Sequence, residues 1–172
     1  KYNAFALYKE RLMKIVDPKK PGSAIEAARK FQENAGKDPL LLKYQLCFPL
    51  YAASRKIIRL YTPLLEPLGL TYTQYIALLA LWEKDGVFVK DLGDRLFLDS
   101  GTLSPLLKTM EAQGLLFRKR DTRDERNVRI FLTDAGRALK ERAADIPGKM
   151  VSCFAISEED VLELYRILYK LL

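Results

Sequence analysis

VKDLGDRLFLDSGTLSPLLKTMEAQGLLFRKRDTRDERNVRIFLTDAG, residues Val89 to Gly136, decides the fold. It holds two helical patterns, Val89 to Leu96 and Asp99 to Gly114, so close together that the helices must cross at a steep angle. In the second, Leu103, Leu106, Leu107 and Met110 recur at helical spacing and are the expected buried face. That leaves Ser100, Thr102, Ser104 and Lys108 pointing outward. Small hydroxyls at an exposed helix start suit a groove. Asp99 or Ser100 can cap the orphan amides there, and Pro105 costs little if it falls within the first turn. Gly114 supplies the stop.

Behind this pair, Leu115 to Arg120 and Val128 to Leu132 flank a polar turn, with Val128, Ile130 and Leu132 alternating. The pattern predicts a hairpin with one face on the core. Its tip sets Arg123 and Arg126 beside Asp121, Asp124 and Glu125, so a carboxylate can hold a guanidinium in one orientation. An arginine so presented fits a narrow minor groove. A merely solvated tip is the plain alternative, but it is disfavoured directly behind two such helices. Helix, turn, helix, hairpin is the order of a winged helix-turn-helix, and its partner is double-stranded DNA.

Composition agrees. The chain has 172 residues, enough for a real core, and a net charge of +7. Residues 1–43 hold ten Lys and Arg against five Asp and Glu, whereas the remainder holds 19 against 17. Affinity for DNA must therefore come from local clustering: Lys108, Arg118, Lys119, Arg120, Arg123, Arg126 and Arg129. No apolar run approaches the ~20 residues that span a membrane, and no secretory leader is visible, so a cytoplasmic protein without membrane contact is expected. Two cysteines and no histidine make neither a disulfide scaffold nor a zinc site. No nucleophile has a local partner and no phosphate-cradling glycine motif occurs, so neither catalysis nor a cofactor or metal is expected.

The rest of the chain is predicted to be helical, giving a mainly α protein. Thr71-Tyr72-Thr73-Gln74 is a capping box stapled by Leu70 and Tyr75, opening a helix whose face is Tyr75, Leu78, Leu79 and Trp82. Thr133 can cap a helix through Ala138, Leu139 and Arg142 that Pro147-Gly148 bends or breaks. Ser157 and Asp160 open a last helix with the stripe Val161, Leu164, Ile167, Leu168 and Leu171. A stripe this apolar wants a partner, and dimerisation through terminal helices matches a palindromic operator. Residues 1–43 form an extra helical segment, with Phe5, Tyr8, Leu12, Ile15 and Val16 on one stripe, a second capping box at Ser23 to Glu26, and Asp38-Pro39 as a helix start. Packing is their expected use, with phosphate contact from their basic faces as the alternative. Residues 71–136 are then the DNA-binding domain, and 44–70 with 137–172 supply the N- and C-terminal dimerisation helices.

One further stripe stands out. Cys47, Tyr51, Ser54, Ile58 and Tyr61 recur every three or four positions and share a helix face. Ordinary packing explains such a stripe. Phenols near a sulfur at a helix N-terminus are also a way to stabilise thiolate, the form that attacks peroxides.

The signature DERNVRIFLTDAG (Asp124 to Gly136) resembles the wing and following helix of the MarR family of dimeric bacterial repressors. LCFPLYAASR (Leu46 to Arg55), LTYTQY (Leu70 to Tyr75), LDSGTLSPLLK (Leu98 to Lys108) and DIPG (Asp145 to Gly148) resemble its organic hydroperoxide resistance (OhrR) branch. The likeness covers roughly Tyr44 to Leu172. It implies a repressor whose reduced homodimer binds its operator and whose oxidised dimer releases it, with an organic hydroperoxide as inducer. Cys47 matches the sensing cysteine, Tyr51 a tyrosine near it on the same chain, and Tyr61 and Tyr72 tyrosines that reach it from the other subunit. Arg126, with Asp124 as its partner, matches the minor-groove arginine. Cys153 lies where some members carry a resolving cysteine, which implies a disulfide from Cys47 to Cys153 between subunits; a passive core thiol at 153 remains the alternative. Two other functions stay open: a MarR-type regulator gated by a small aromatic ligand or another oxidant, and a helical interaction module with an incidental hairpin.

Overall fold

The computed structural model describes residues 40–42, 45, 47–121, 124, 127–153 and 156–172. The predicted helices within residues 1–39 and the wing-tip arginines 123 and 126 lie outside the described residues. The elements are α1 (Cys47–Leu65), a short 3-10 turn (Glu66–Leu68), α2 (Tyr72–Glu83), β1 (Val87–Phe88), α3 (Val89–Leu96), α4 (Ser100–Ala112), β2 (Leu116–Arg120), β3 (Val128–Leu132), α5 (Asp134–Arg142), α6 (Ile146–Val151) and α7 (Glu158–Leu168). Two compact units result. One lies within Ser54 to Cys153, and the other holds the described residues up to Ala53 and those from Ile156 on.

In the first unit the capping box at Thr71 closes as the sequence predicts. The Gln74 amide donates to Thr71 Oγ1 at 3.3 Å, and the Thr71 amide donates to Gln74 Oε1 at 2.9 Å. The α2 helix that follows is buried on more than one stripe, through Gln74, Tyr75, Ala77, Leu78, Ala80 and Leu81. Leu79, expected on its core face, is instead exposed. Alanines at 77 and 80 let neighbouring elements approach the helix closely, so burial spreads around it rather than along one line.

The α3 and α4 helices are joined by a tight turn in which Phe97 takes a left-handed conformation, φ 54°. Gly93 makes their approach possible: a Cβ there would lie 3.0 Å from the Leu98 carbonyl oxygen and 3.2 Å from Leu103 Cδ2. Leu103, Leu107 and Met110 are buried as expected, while Leu106 is only partly so. The N-cap of α4 is Asp99. Pro105 is not in the first turn but is the sixth residue of α4, so its missing N–H removes an interior helix bond. After α4, Gly114 adopts φ 70° and turns the chain into β2.

The sheet is antiparallel with the order β1-β3-β2. Leu116 pairs with Leu132 and Arg118 with Ile130, so Leu116, Ile130 and Leu132 all face the core, each no more than 2% exposed. Phe117 stacks on Phe131 on the other face, centroids 5.4 Å apart. The β1 strand, pairing Val87 with Ile130, was not expected from the sequence. Two residues are too few to show alternation; they become a strand only because β3 offers an edge.

Thr133 caps α5, which ends at Arg142, before Pro147 is reached. Pro147 does not break a helix; it lies in the first turn of α6, where its lack of an N–H is harmless. In the second unit, Ser157 and Asp160 form a capping box on α7. That helix buries no residue, leaving Leu162, Leu164, Tyr165 and Ile167 exposed. Among the described residues no single helix is long and apolar enough to cross a membrane.

Candidate DNA interface and thiol site

The exposed side of α4 begins at its N-terminus. Asp99 Oδ1 accepts the Thr102 amide at 2.9 Å, and Oδ2 accepts the Thr102 hydroxyl at 3.1 Å. These two bonds hold the Asp99 carboxyl below its ordinary range, the amide contributing more than the hydroxyl. Ser100, Thr102, Ser104 and Lys108 are all exposed. Ser100 and Ser104 line one wall of a cleft of about 540 Å³, with Lys90 and Asp94 of α3; Arg118 and Asn127 from the hairpin line the other. Thr102 and Lys108 are not part of that wall. The cleft thus gathers three of the predicted contact residues, Ser100, Ser104 and Arg118. It adds Lys90 and Asn127, which neither spacing nor charge clustering marked.

Two of the clustered arginines prove to be internally committed. Glu111 Oε1 accepts the Arg118 backbone amide at 3.0 Å, and Oε2 accepts Arg118 Nε at 2.9 Å. The guanidinium and then the amide of Arg118 pull the Glu111 carboxyl below its ordinary range. Arg129 donates from Nε to Asp121 at 2.7 Å and from Nη1 to the Gly86 carbonyl at 2.9 Å. Its guanidinium carbon also sits 3.9 Å from the Phe88 ring centroid. One side chain therefore ties the tip end of the hairpin to the β1 edge. Asp85 does the same from the other side, accepting from the Leu132 amide at 2.9 Å and from Arg137 at 2.7 Å. Asp124, at the exposed tip, accepts from Asn127 Nδ2 at 3.3 Å.

The residues singled out for thiol chemistry fall in both units. Cys47, the first residue of α1, is exposed, and so is Tyr51. The stripe they share is thus not core packing at this end. In the other unit Tyr61 packs at a tilt against Tyr72, centroids 4.9 Å apart, and against Tyr75 at 5.8 Å. Tyr75 then meets Trp82 edge-on at 6.4 Å, and Trp82 Nε1 donates to the Gly136 carbonyl at 2.9 Å. The sequence offered Tyr75 only as core, because a helical stripe does not reveal which rings touch. Burial raises the Tyr72 phenol, and burial followed by the neighbouring Tyr72 raises Tyr75. Both are therefore protonated donors at neutral pH. Cys153, also exposed, hydrogen-bonds the Lys149 carbonyl at 3.3 Å.

Residues 59–143 match the family model described as transcriptional regulator SarA/Rot. The chain is 53% identical over 135 residues to the organic hydroperoxide resistance transcriptional regulator of Bacillus subtilis, covering 78% of this chain and 92% of that one. Among solved structures it is similar to reduced AbfR bound to DNA, a protein of Staphylococcus epidermidis, with a TM-score of 0.66 and 35% identity over 76% of this chain and 89% of the other. It also resembles a disulfide-formed AbfR, with a TM-score of 0.54 and 34% identity over 81% and 98% of the two chains.

Proposed function

The chain belongs to the MarR family of transcriptional regulators, in its organic hydroperoxide resistance branch, and on that premise we propose that it is a dimeric repressor released from DNA by oxidation of Cys47. It is a DNA-binding transcriptional regulator of winged-helix fold. The finer reading rests on one observation above all: Cys47, a residue type usually buried when free, is exposed at the first position of α1. A thiolate there meets the partial positive charge of a helix start and is open to a dissolved oxidant.

Attack of the Cys47 thiolate on an organic hydroperoxide forms the S–O bond of a sulfenic acid and breaks the O–O bond. The alkoxide takes a proton and leaves as the alcohol. The Cys153 thiolate of the second subunit then attacks the sulfenic sulfur, forming the disulfide and releasing hydroxide, which a proton converts to water. Tyr61 and Tyr72 are the phenols proposed to steady the sulfur from the other subunit, and Tyr51 is the one on its own chain. The exposed apolar face of α7 supports a dimer, since a surface of this kind calls for a partner. Residues 44–70 and 137–172 would make that contact and 71–136 would bind DNA.

A symmetric dimer sets its two α4 helices about one turn of duplex apart, roughly 34 Å. Ser100, Thr102, Ser104 and Lys108 are proposed for the major groove, and Arg126 for the minor groove with Asp124 as its partner and Arg123 as a further contact. The relatives support a redox input, since AbfR is known both reduced on DNA and in a disulfide form.

Gel shift with duplex DNA selected by the reduced protein, before and after cumene hydroperoxide, tests the reading. Loss of the shifted band, restored by dithiothreitol, is the expected result. A band that survives oxidation but dissolves on adding a phenolic acid would instead favour a ligand-gated regulator. Non-reducing gels address the second step: the covalent dimer should need both Cys47 and Cys153.

A further inference from the structure

Gln74 is the only buried polar side chain among the described residues, 4% exposed. Both ends of its amide are used. Oε1 accepts the Thr71 N–H that opens α2, and Nε2 donates to Gln113 Oε1 at 2.9 Å. Gln113 is the C-cap residue of α4. Gln74 and Gln113 therefore join the start of one helix to the end of the other through a bond shielded on one side from water.

We propose that this amide pair couples the tyrosine cluster to the recognition helix, making Gln74 and Gln113 positioning residues of the switch. The inference rests on the redox reading above, in which Tyr72 supports the sensing sulfur. Tyr72 is the first residue of α2 and Gln74 the third, and Tyr72 and Tyr75 both pack on Tyr61. Because Gln74 Oε1 holds the cap of the same helix, the start of α2 cannot shift as a body without carrying Gln74 along. Its Nε2 then either drags Gln113 or gives up the partner of a side chain that is itself buried, where an unpaired amide is disfavoured.

The C-terminal end of α4 is where such a pull would act. Glu111 grips Arg118 of β2, and the Thr133 hydroxyl donates to the Gly114 carbonyl at 2.6 Å. Those two ties hold α4 to the hairpin and to α5. Gln74 supplies a side-chain tie to α2. A shift at the tyrosines is thus delivered to the end of α4 away from Ser100, tilting the exposed end that meets DNA.

Gln113 is exposed, so it can be varied without opening the core. Gln113→Glu keeps an acceptor for Gln74 Nε2, whereas Gln113→Ala removes it. Operator affinity of the full chain is measured by fluorescence anisotropy, reduced and after cumene hydroperoxide, with Cys47 oxidation followed by mass spectrometry. The wild type and Gln113→Glu should lose affinity on oxidation to similar extents. Gln113→Ala should bind within about threefold of wild type when reduced, yet its loss on oxidation should be smaller by roughly tenfold, within the usual range of coupling between sites. Gln113→Ala that releases DNA as wild type does would overturn the link alone. Gln113→Ala that fails to bind even when reduced would make the pair part of the scaffold and likewise overturn it. Wild-type protein that holds its operator with Cys47 oxidised would remove the redox reading and the link together.

Discussion

Glu111 holds Arg118 at two points, taking its backbone amide at 3.0 Å and its Nε at 2.9 Å, so the last turn of α4 is fastened to β2. Arg118 was expected to meet DNA directly, and its position on the wall of the cleft is compatible with that. Its guanidinium, however, already has a carboxylate partner, and that pairing fixes the hairpin against α4.

Salt dependence separates these roles. A phosphate contact lowers the slope of log K against log[salt] by close to one when removed, whereas an alignment residue lowers affinity at constant slope. Lys108→Ala is expected to reduce the slope by about one. Arg118→Ala and Glu111→Ala should weaken binding to similar extents with less change in slope. Anisotropy titrations from low to high KCl decide it.

Arg129 extends the same logic to the tip end of the hairpin, where it spans Asp121, Gly86 and the Phe88 ring. Arg129→Ala should destabilise the fold by about 1.5–2 kcal/mol, the low end of the scale for a hydrogen bond to a charged group, because the guanidinium is partly exposed. Arg129→Lys should recover only part of that, because an ammonium lacks the planar fork. Urea unfolding of the three proteins is the measurement.

The hairpin, α4, α2 and α7 were legible in the sequence because each carries a local signal: alternation in Val128, Ile130 and Leu132, helical spacing in Leu103, Leu107 and Met110, and the capping pairs at Thr71 and Ser157. What was not legible depends on residues far apart in the chain. Arg129 reaches Gly86, Gln74 reaches Gln113 and Tyr61 meets Tyr75, and no spacing rule predicts those meetings. Charge clustering is blind for the same reason, since it cannot tell a guanidinium facing solvent from one bound to Asp121 or Glu111. Pro147 was taken to end a helix because proline is excluded from helix interiors but is equally at home in a first turn.

Gly136 and Gly148 should respond in opposite directions to alanine. A Cβ on Gly136 would lie 2.0 Å from the Leu115 carbonyl oxygen, where backbone cannot yield, whereas nothing lies within 4 Å of one on Gly148. Gly136→Ala is expected to cost about 3 kcal/mol or more. Gly148→Ala, inside α6, should stabilise by roughly 0.5–1 kcal/mol. Thermal melts of both variants against wild type test the pair.

Acid should loosen the recognition helix at both ends. The carboxyls of Asp99 and Glu111 are held below their ordinary values of 3.8 and 4.5. A carboxylate depressed on folding stabilises fully above its ordinary value, and the contribution is lost as pH falls from there through the folded value. Melting temperature should therefore decline below about pH 5, and less steeply in Asp99→Asn and Glu111→Gln. Variants with the wild-type acid slope would show that these bonds contribute nothing.

Operator affinity of the wild type and Cys47→Ser, each measured before and after cumene hydroperoxide, tests the central claim most directly. Equal reduced affinities are expected, with a large loss on oxidation for wild type alone and a Cys47→Ser protein that stays bound. Release of Cys47→Ser by the same oxidant would contradict it.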